Sequence, residues 1–457
     1  VSRWAAPLAA LEQGLLQRDV AARCLLLAAL AGEHVLLLGP PGTAKSELAR
    51  RLRRLLPGAH YFERLLTRFT VPEELFGPLS LQALEQDRYE RLTEGYLPGA
   101  EVAFLDEVFK ANSAILNTLL GLLHERMFDN GRQRVTVPLV TLVGASNEPP
   151  QDDSLLAFHD RFLLRVPVAP VDDAHFTALL QTTGEMDAPA ADALIDAPER
   201  QALQAAAPAV ALGDEVLPLL QAAREHAQRT QQSVSDRRWR QLVALLRLQA
   251  ASRGDSTVSV WDLWLLPYVL SANADAVPGW TDFFEHRVAH TAPLELDGLE
   301  RAVTAFEQQL NIERRAPSEQ QDDSAGKLAL ARAIAGPTGS EGRDSELVRI
   351  TSERAGRRWS TVHIAARVAQ CDALLQQLAD LHAELERIAT HVTTQARAHD
   401  WLPPSQRARI EAVHNARCSA VAGWLQRLQS VREGFALLPV DEALRAEAPA
   451  PVTWDVP

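Results

Sequence analysis

The chain has 457 residues, 46 of them basic and 59 acidic, giving a formal charge of −13, and 47% are hydrophobic types. This is enough for about three globular domains, it excludes wholesale disorder, and the acidic balance removes any whole-molecule attraction to nucleic acid or anionic lipid. No run reaches the roughly 18 apolar residues of a membrane span, and the first residues lack the basic head and long apolar segment of a secretory signal, so a cytoplasmic protein is expected. Cys24, Cys371 and Cys418 lie far apart, with no pairing that suggests zinc; free thiols in a reducing compartment fit best. Only three of the basic residues are lysines, Lys45, Lys110 and Lys327. The bias reads as genomic, yet it leaves Lys45 conspicuous inside a Gly/Pro-rich loop.

Residues 1–170 alternate short apolar runs (His34–Leu38, Val102–Leu105, Leu139–Gly144) with helical patterns (Ser46–Leu56, Ala111–Glu125). That alternation predicts a parallel sheet covered on both faces. Phe128–Gly131, reading FDNG, signals a hairpin with Arg132–Val137 as its return strand, and Leu79–Pro98 reads as an insertion before the Val102 strand. Residues 171–290 become helical and proline-broken, as a small lid does. From 291 to 445 three long amphipathic stripes run through Leu299–Leu310, Ile364–Val392 and Ile410–Leu438, with a corner at Trp401–Pro404. Seams near a 3.5-residue period predict a helical arm or bundle. The polar stretch 313–356 interrupts it with two strand candidates, Lys327–Ile334 and Glu346–Thr351, and residues 446–457 read as a tail, a disordered end being favoured over an aromatic anchor.

The strongest chemical signal is the strand ending in Gly39-Pro40-Pro41-Gly42-Thr43-Ala44-Lys45-Ser46 and running into a helix. Triphosphate binding needs a bend of small residues with inward N–H groups, an ammonium for the β and γ phosphates and a hydroxyl for Mg²⁺. Gly39, Gly42, Lys45 and Ser46 supply these. Glycine is usual at position 44, so Ala44 is expected to sit at an ordinary φ. The Val102 strand ends in Asp106-Glu107. Asp106 suits magnesium, partly through water, and Glu107 suits the base that activates an attacking water. Asn147, after the third strand, is placed to hydrogen-bond that water and the γ-phosphate without adding charge; a turn-forming Asn before Glu148-Pro149-Pro150 is the plainer reading. Arg161 reads on its own as half of a surface pair with Asp160, or as an arginine serving a neighbouring subunit. In the lid, Ser235 or Asp236 caps a helix whose first turn offers Arg237, with Arg238 as the alternative, to a γ-phosphate.

These elements, in this order, resemble an AAA+ ATPase: an α/β P-loop NTPase core with a parallel sheet, an all-α lid and here a C-terminal long-helix arm. The segment LPGAEVAFLDEVFKANSAILNTLLGLLHERMFDNG with its following hairpin resembles the MoxR branch. TRFTVPEELFGPLSLQALEQDRYERLTEGYLPGAE is similar to the RavA subfamily. The resemblance implies that Lys45 and Ser46 are Walker A, Asp106 and Glu107 Walker B, Asn147 sensor 1, Arg161 the arginine finger and Arg237 sensor 2. It further implies ATP and Mg²⁺, a homo-hexameric ring remodelling protein clients, and a partner with a von Willebrand factor A (vWA) domain. RavA-type chains often carry a sizeable β-rich insertion in the arm, whereas 313–356 is short and polar, which weakens any partner role assigned to it. Two further readings stand beside the remodeller. One is a nucleic-acid motor touching phosphates through Arg132 and Arg134, opposed by the −13 charge. The other is a nucleotide-gated binding scaffold with slow turnover.

Overall fold

The computed structural model describes residues 3–150, 153–294, 296–316, 357–445 and 447–454. Both strand candidates in 313–356 lie outside the described residues. The chain forms two units, Val1–Ala292 with Val392–Ile410, and Pro293–His391 with Glu411–Pro457.

In the first unit α1 (Ala5–Glu12) and α2 (Asp19–Ala31) lead into β1 (Val35–Leu38) and α3 (Lys45–Arg54). Then come β2 (Tyr61–Leu65), α4 (Pro72–Phe76), α5 (Leu81–Leu84), β3 (Val102–Asp106), α6 (Ser113–Glu125), β4 (Met127–Asn130) and β5 (Gln133–Thr136). β6 (Thr141–Ser146), α7 (Asp153–His159) and β7 (Leu164–Pro167) complete the core. Five strands form one parallel sheet in the order β2-β3-β6-β1-β7. Every residue of β1 and β6 is buried, as strands covered on both faces require. Leu36, Ala103, Leu105, Leu142, Leu119, Phe158 and Phe162 belong to one cluster of the core.

Two details differ from expectation for identifiable reasons. His34 precedes β1 rather than belonging to it. Its Nδ1 accepts the Leu142 N–H at 3.0 Å and its Nε2 meets Leu123 O at 3.3 Å, so the buried ring, its pKa pushed down to about 3 by desolvation, closes the sheet margin as a neutral imidazole. The hairpin turn is centred on Gly131-Arg132 instead of Asn130-Gly131, since Asn130 pairs with Gln133. The Asn130 side chain accepts the Arg91 N–H at 2.6 Å and donates to Arg91 O at 3.1 Å, tying the insertion to the hairpin. Gly131 sits at φ +66, where a Cβ would lie 2.0 Å from Tyr89 O; only glycine fits.

The lid follows as α8 (Phe176–Gln181), α9 (Ala197–Ala206), α10 (Val216–Arg229), α11 (Asp236–Ser252), α12 (Leu266–Leu270) and α13 (Val277–Val288). It is not wholly helical: β8 (Ala211–Leu212) and β9 (Thr257–Val258) pair in parallel. The arm expected over 291–445 is not one block, since residues 392–410 group with the first unit. After α14 (Asp297–Arg315), α15 (Thr361–Ala398) and α16 (Pro404–Ala436) form the long helices, but the corner between the latter two belongs to the first unit. Trp401 there is fully buried, 5.6 Å from Trp4, and both indole N–H groups donate to Ser252. His399 joins the buried Asp262, which also accepts from Arg253 and Gln249.

In the second unit Val303, Phe306 and Leu310 of α14 meet Cys371, Leu374, Leu378 and Leu385 of α15 and Val421, Trp424, Leu428, Val431 and Phe435 of α16. Arg427 pairs with Glu307, and the buried Glu313 receives Arg367 at 2.8 Å. The tail is docked over its described residues 447–454. Arg367 Nη1 donates to Ala450 O at 2.7 Å, and Val452 and Trp454 pack on the bundle core, Trp454 lying 6.2 Å from Phe306. The aromatic anchor therefore replaces the disordered end for this stretch, because its apolar side chains find a groove to bury in.

Candidate functional site

The C-terminal ends of β1, β3 and β6, neighbours in the sheet, bring the loop 39–46, Asp106-Glu107 and Asn147 to one edge. In such sheets ligands bind outside the carboxyl ends of the strands. Gly39 continues β1, donating its N–H to Ser146 O at 3.0 Å, and a Cβ there would fall 2.1 Å from Val168 O. Gly42 turns the loop at φ +80. Among the described residues the N–H groups of Gly42, Thr43 and Ala44 make no hydrogen bond, the donor set an anion needs at a helix start.

Ala44 lies at φ +65, ψ 25, in the left-handed region, and not at the ordinary φ expected from its side chain. The loop dictates the backbone and alanine bears the strain, about 1 kcal/mol. Ala44→Gly is therefore expected to raise the urea midpoint, by up to about 1 kcal/mol in unfolding free energy after glycine's entropy cost. A lowered midpoint would show that the alanine methyl contributes packing that outweighs the strain.

Lys45 is buried and its Nζ donates to Gly39 O at 2.6 Å, Pro40 O at 2.8 Å and Asn147 Oδ1 at 3.3 Å. Burial lowers its pKa, which Asp106 and Glu107 partly restore. Asn147 Nδ2 donates to Glu107 Oε1 at 2.5 Å, and Lys110 Nζ stands 3.3 Å from Glu107 Oε2. Glu107 itself is held at φ +51, uncommon for its residue type and concentrated at functional sites. Asp106 Oδ1 accepts the Glu107 N–H at 3.0 Å. Lys45, Asn147 and Glu107 thus form one hydrogen-bonded chain across three strand ends, and Lys110 extends it by an ion pair to Glu107. The Ser46 hydroxyl, in the first turn of α3, makes no hydrogen bond to any described residue.

Arg161 follows α7 in a turn. It is half-buried, and its Nε makes no hydrogen bond among the described residues. Ser235 rather than Asp236 caps α11, accepting the Arg238 N–H. Arg237 is exposed, with Nη2 3.5 Å from His124 Nδ1, while Arg238 is buried and fully engaged elsewhere. Arg134 of the hairpin is paired with Glu125 and with Asp129, so its charge is cancelled locally.

Three contributors were not singled out from the sequence. Lys110 was noted only as rare. Arg18 is buried and donates from Nε to Thr43 O at 3.0 Å and from Nη2 to Ala169 O at 2.8 Å, bracing the loop. Arg51, 1% exposed, sends bonds from α3 to Gln13 O at 2.5 Å, Leu11 O at 3.1 Å and Gly184 O at 2.6 Å. No motif marks either arginine: apart from the Glu47 carboxylate, which takes Arg51 Nε at 2.9 Å, their acceptors are main-chain carbonyls, which any sequence supplies.

Residues 3–205 match the family model described as the MoxR domain in the MoxR-vWA-beta-propeller ternary systems, and residues 215–278 match an AAA lid domain. An uncharacterized protein of Methanocaldococcus jannaschii is 40% identical over 253 residues, 55% of this chain and 66% of that one. Another from the same organism is 57% identical over 141 residues, 31% of this chain and 38% of that one. Protein MoxR of Paracoccus denitrificans is 30% identical over 175 residues, 36% of this chain and 50% of that protein. The chain thus spans between about two fifths and two thirds of the length of these relatives. Among the described residues no helix is long and apolar enough to cross a membrane. Residues 3–278 are thus similar to a MoxR domain followed by an AAA lid, with the parallel-sheet core inside the first match and the helical lid inside the second.

Proposed function

We propose that this chain binds ATP at the Lys45 loop, hydrolyses it, and uses the cycle within a homo-hexameric ring to remodel protein clients. The observation that supports this best is the Lys45–Asn147–Glu107 chain. It aligns an ammonium, a neutral amide and a carboxylate beside the unspent loop N–H groups. In this reading residues 39–46 wrap the triphosphate and the Lys45 ammonium leaves its loop carbonyls for phosphate oxygens. Asn147 orients the attacking water and Glu107 takes its proton. Arg161 reaches the neighbouring subunit's γ-phosphate and Arg237 reports nucleotide state to the lid.

The residues present suit Mg²⁺. That ion takes few protein ligands besides phosphate oxygens and water, so the free Ser46 hydroxyl and the Asp106 carboxylate suffice. Bound there, it would neutralise charge on the β and γ oxygens.

The description of the matching model names vWA and beta-propeller components. It supports a vWA-bearing partner and, with it, a protein substrate in place of nucleic acid. The local pairing of Arg134 with Glu125 and Asp129 also removes one of the two arginines a nucleic-acid motor would use. The RavA-like placement rests on the segment 67–101 alone. Titrating the purified chain with a fluorescent ATP analogue tests the reading. Saturable binding is expected, weakened at least about tenfold in Lys45→Ala, equivalent to about 1.4 kcal/mol. Equal binding by both proteins would remove the nucleotide site from the Lys45 loop.

A further inference from the structure

Arg238 was open as a second candidate for sensing the γ-phosphate, but its guanidinium is directed at the turn that carries Arg161. The side chain is 5% exposed. Its Nε and Nη2 donate to Asp160 Oδ1 at 3.2 and 3.1 Å. Nη2 also donates to Asp160 O at 3.3 Å and to Phe162 O at 3.0 Å, and Nη1 to Leu163 O at 3.0 Å and Val269 O at 2.6 Å. The accepted positions, 160, 162 and 163, bracket residue 161 on both sides. From β7, Arg165 adds Nη2 to Asp160 Oδ1 at 3.4 Å and to His159 O at 3.3 Å, and Nη1 to Ser271 O at 3.1 Å. Two buried guanidiniums share the one Asp160 carboxylate. Arg161 lies at the centre of this clamp and takes no part in it.

The physical consequence follows from guanidinium shape. A planar fork serving several acceptors at once fixes their relative orientation, which a lysine ammonium on a flexible stem does not. Arg238 sits in the first turn of α11, directly after Arg237. Any rotation of α11 moves the clamp, and the clamp moves the turn.

We propose that Arg238 is a positioning residue: it sets the direction of Arg161 and so links the lid helix that carries Arg237 to the nucleotide of the adjoining subunit. The link rests on the ring and on the role of Arg161 given above. Its defect must therefore appear in the neighbour's site and leave the subunit's own site competent.

Mixing subunits of the 457-residue chain tests this. Arg238→Gln alone is expected to lose at least about tenfold in ATP turnover while retaining nucleotide binding, and Lys45→Ala alone is inactive. In an equimolar mixture, Arg238→Gln sites next to Lys45→Ala subunits receive an intact Arg161. Turnover should recover to about a quarter of the parental rate per subunit for random mixing around a closed ring. Arg238→Lys should behave as Arg238→Gln does. Asp160→Asn, which keeps the Oδ1 acceptor and removes the charge, should show a smaller loss and the same recovery, and carries the test if Arg238→Gln melts early.

The control is Arg161→Ala mixed with Lys45→Ala. Recovery in the control but none with Arg238→Gln or Asp160→Asn overturns the proposal, because Arg238 then acts on its own subunit or only on folding. Failure of the control as well removes the trans role of Arg161, and with it the ground for the proposal.

Discussion

Glu107→Gln is expected to hold ATP and to turn it over about 10²–10⁴-fold more slowly than the parent, the range a positioned general base contributes. The substitution keeps shape and retains an oxygen to accept the Asn147 amide, which lies at 2.5 Å. It removes the charge that faces Lys110 at 3.3 Å and the lone pair that would take the water proton. Binding should survive, because the loop N–H groups and Lys45 are untouched. Phosphate release measured beside the nucleotide retained after gel filtration separates the two effects. A variant with parental turnover would take the base away from Glu107; one that binds no ATP would make Glu107 a structural support of the loop.

Arg161→Ala is expected to lower turnover by about 10³-fold or more, as loss of an arginine that stabilises the transferring phosphoryl does. Affinity for ATP should change little. The residue's Nε is buried with no hydrogen bond among the described residues, so the truncation breaks none there, and the fold should tolerate it. Rate and affinity measured together decide the matter. Unchanged turnover would return Arg161 to an ordinary surface turn, and an equal loss of affinity would place it at its own subunit's nucleotide.

Much of this site was legible because its chemistry needs particular residue types at fixed places after apolar runs. The loop at 39–46, the acids at 106–107 and Asn147 all follow strands, and parallel topology puts such ends at one edge. The arm seams were legible for a similar reason: Val303, Phe306, Leu310 and Trp424, Leu428, Val431, Phe435 repeat at helical spacing and lie in one cluster. What stayed hidden was decided by main-chain partners or by tertiary constraint. Arg18, Arg51 and Arg238 make most of their hydrogen bonds to carbonyl oxygens, which leave no trace in residue type. Ala44 adopts a left-handed backbone that its own preference opposes, because the loop around it fixes the path. The hairpin turn moved by one residue because Asn130 is spent on Arg91, a contact 39 positions away.

The buried corner at Trp401 has a bearing on biosynthesis. The first unit is discontinuous: Val392–Ile410 supplies Trp401 and His399 to a body otherwise finished by Ala292. On the ribosome, the α/β core and lid emerge while that piece is still unmade, leaving the buried surfaces of Trp4 and Asp262 without their cover. These long-range contacts form late by necessity, and loop closure makes them slow. A nascent chain halted within residues 293–391 would thus present an unfinished apolar face to holdases, and only synthesis beyond Ile410 lets the module close.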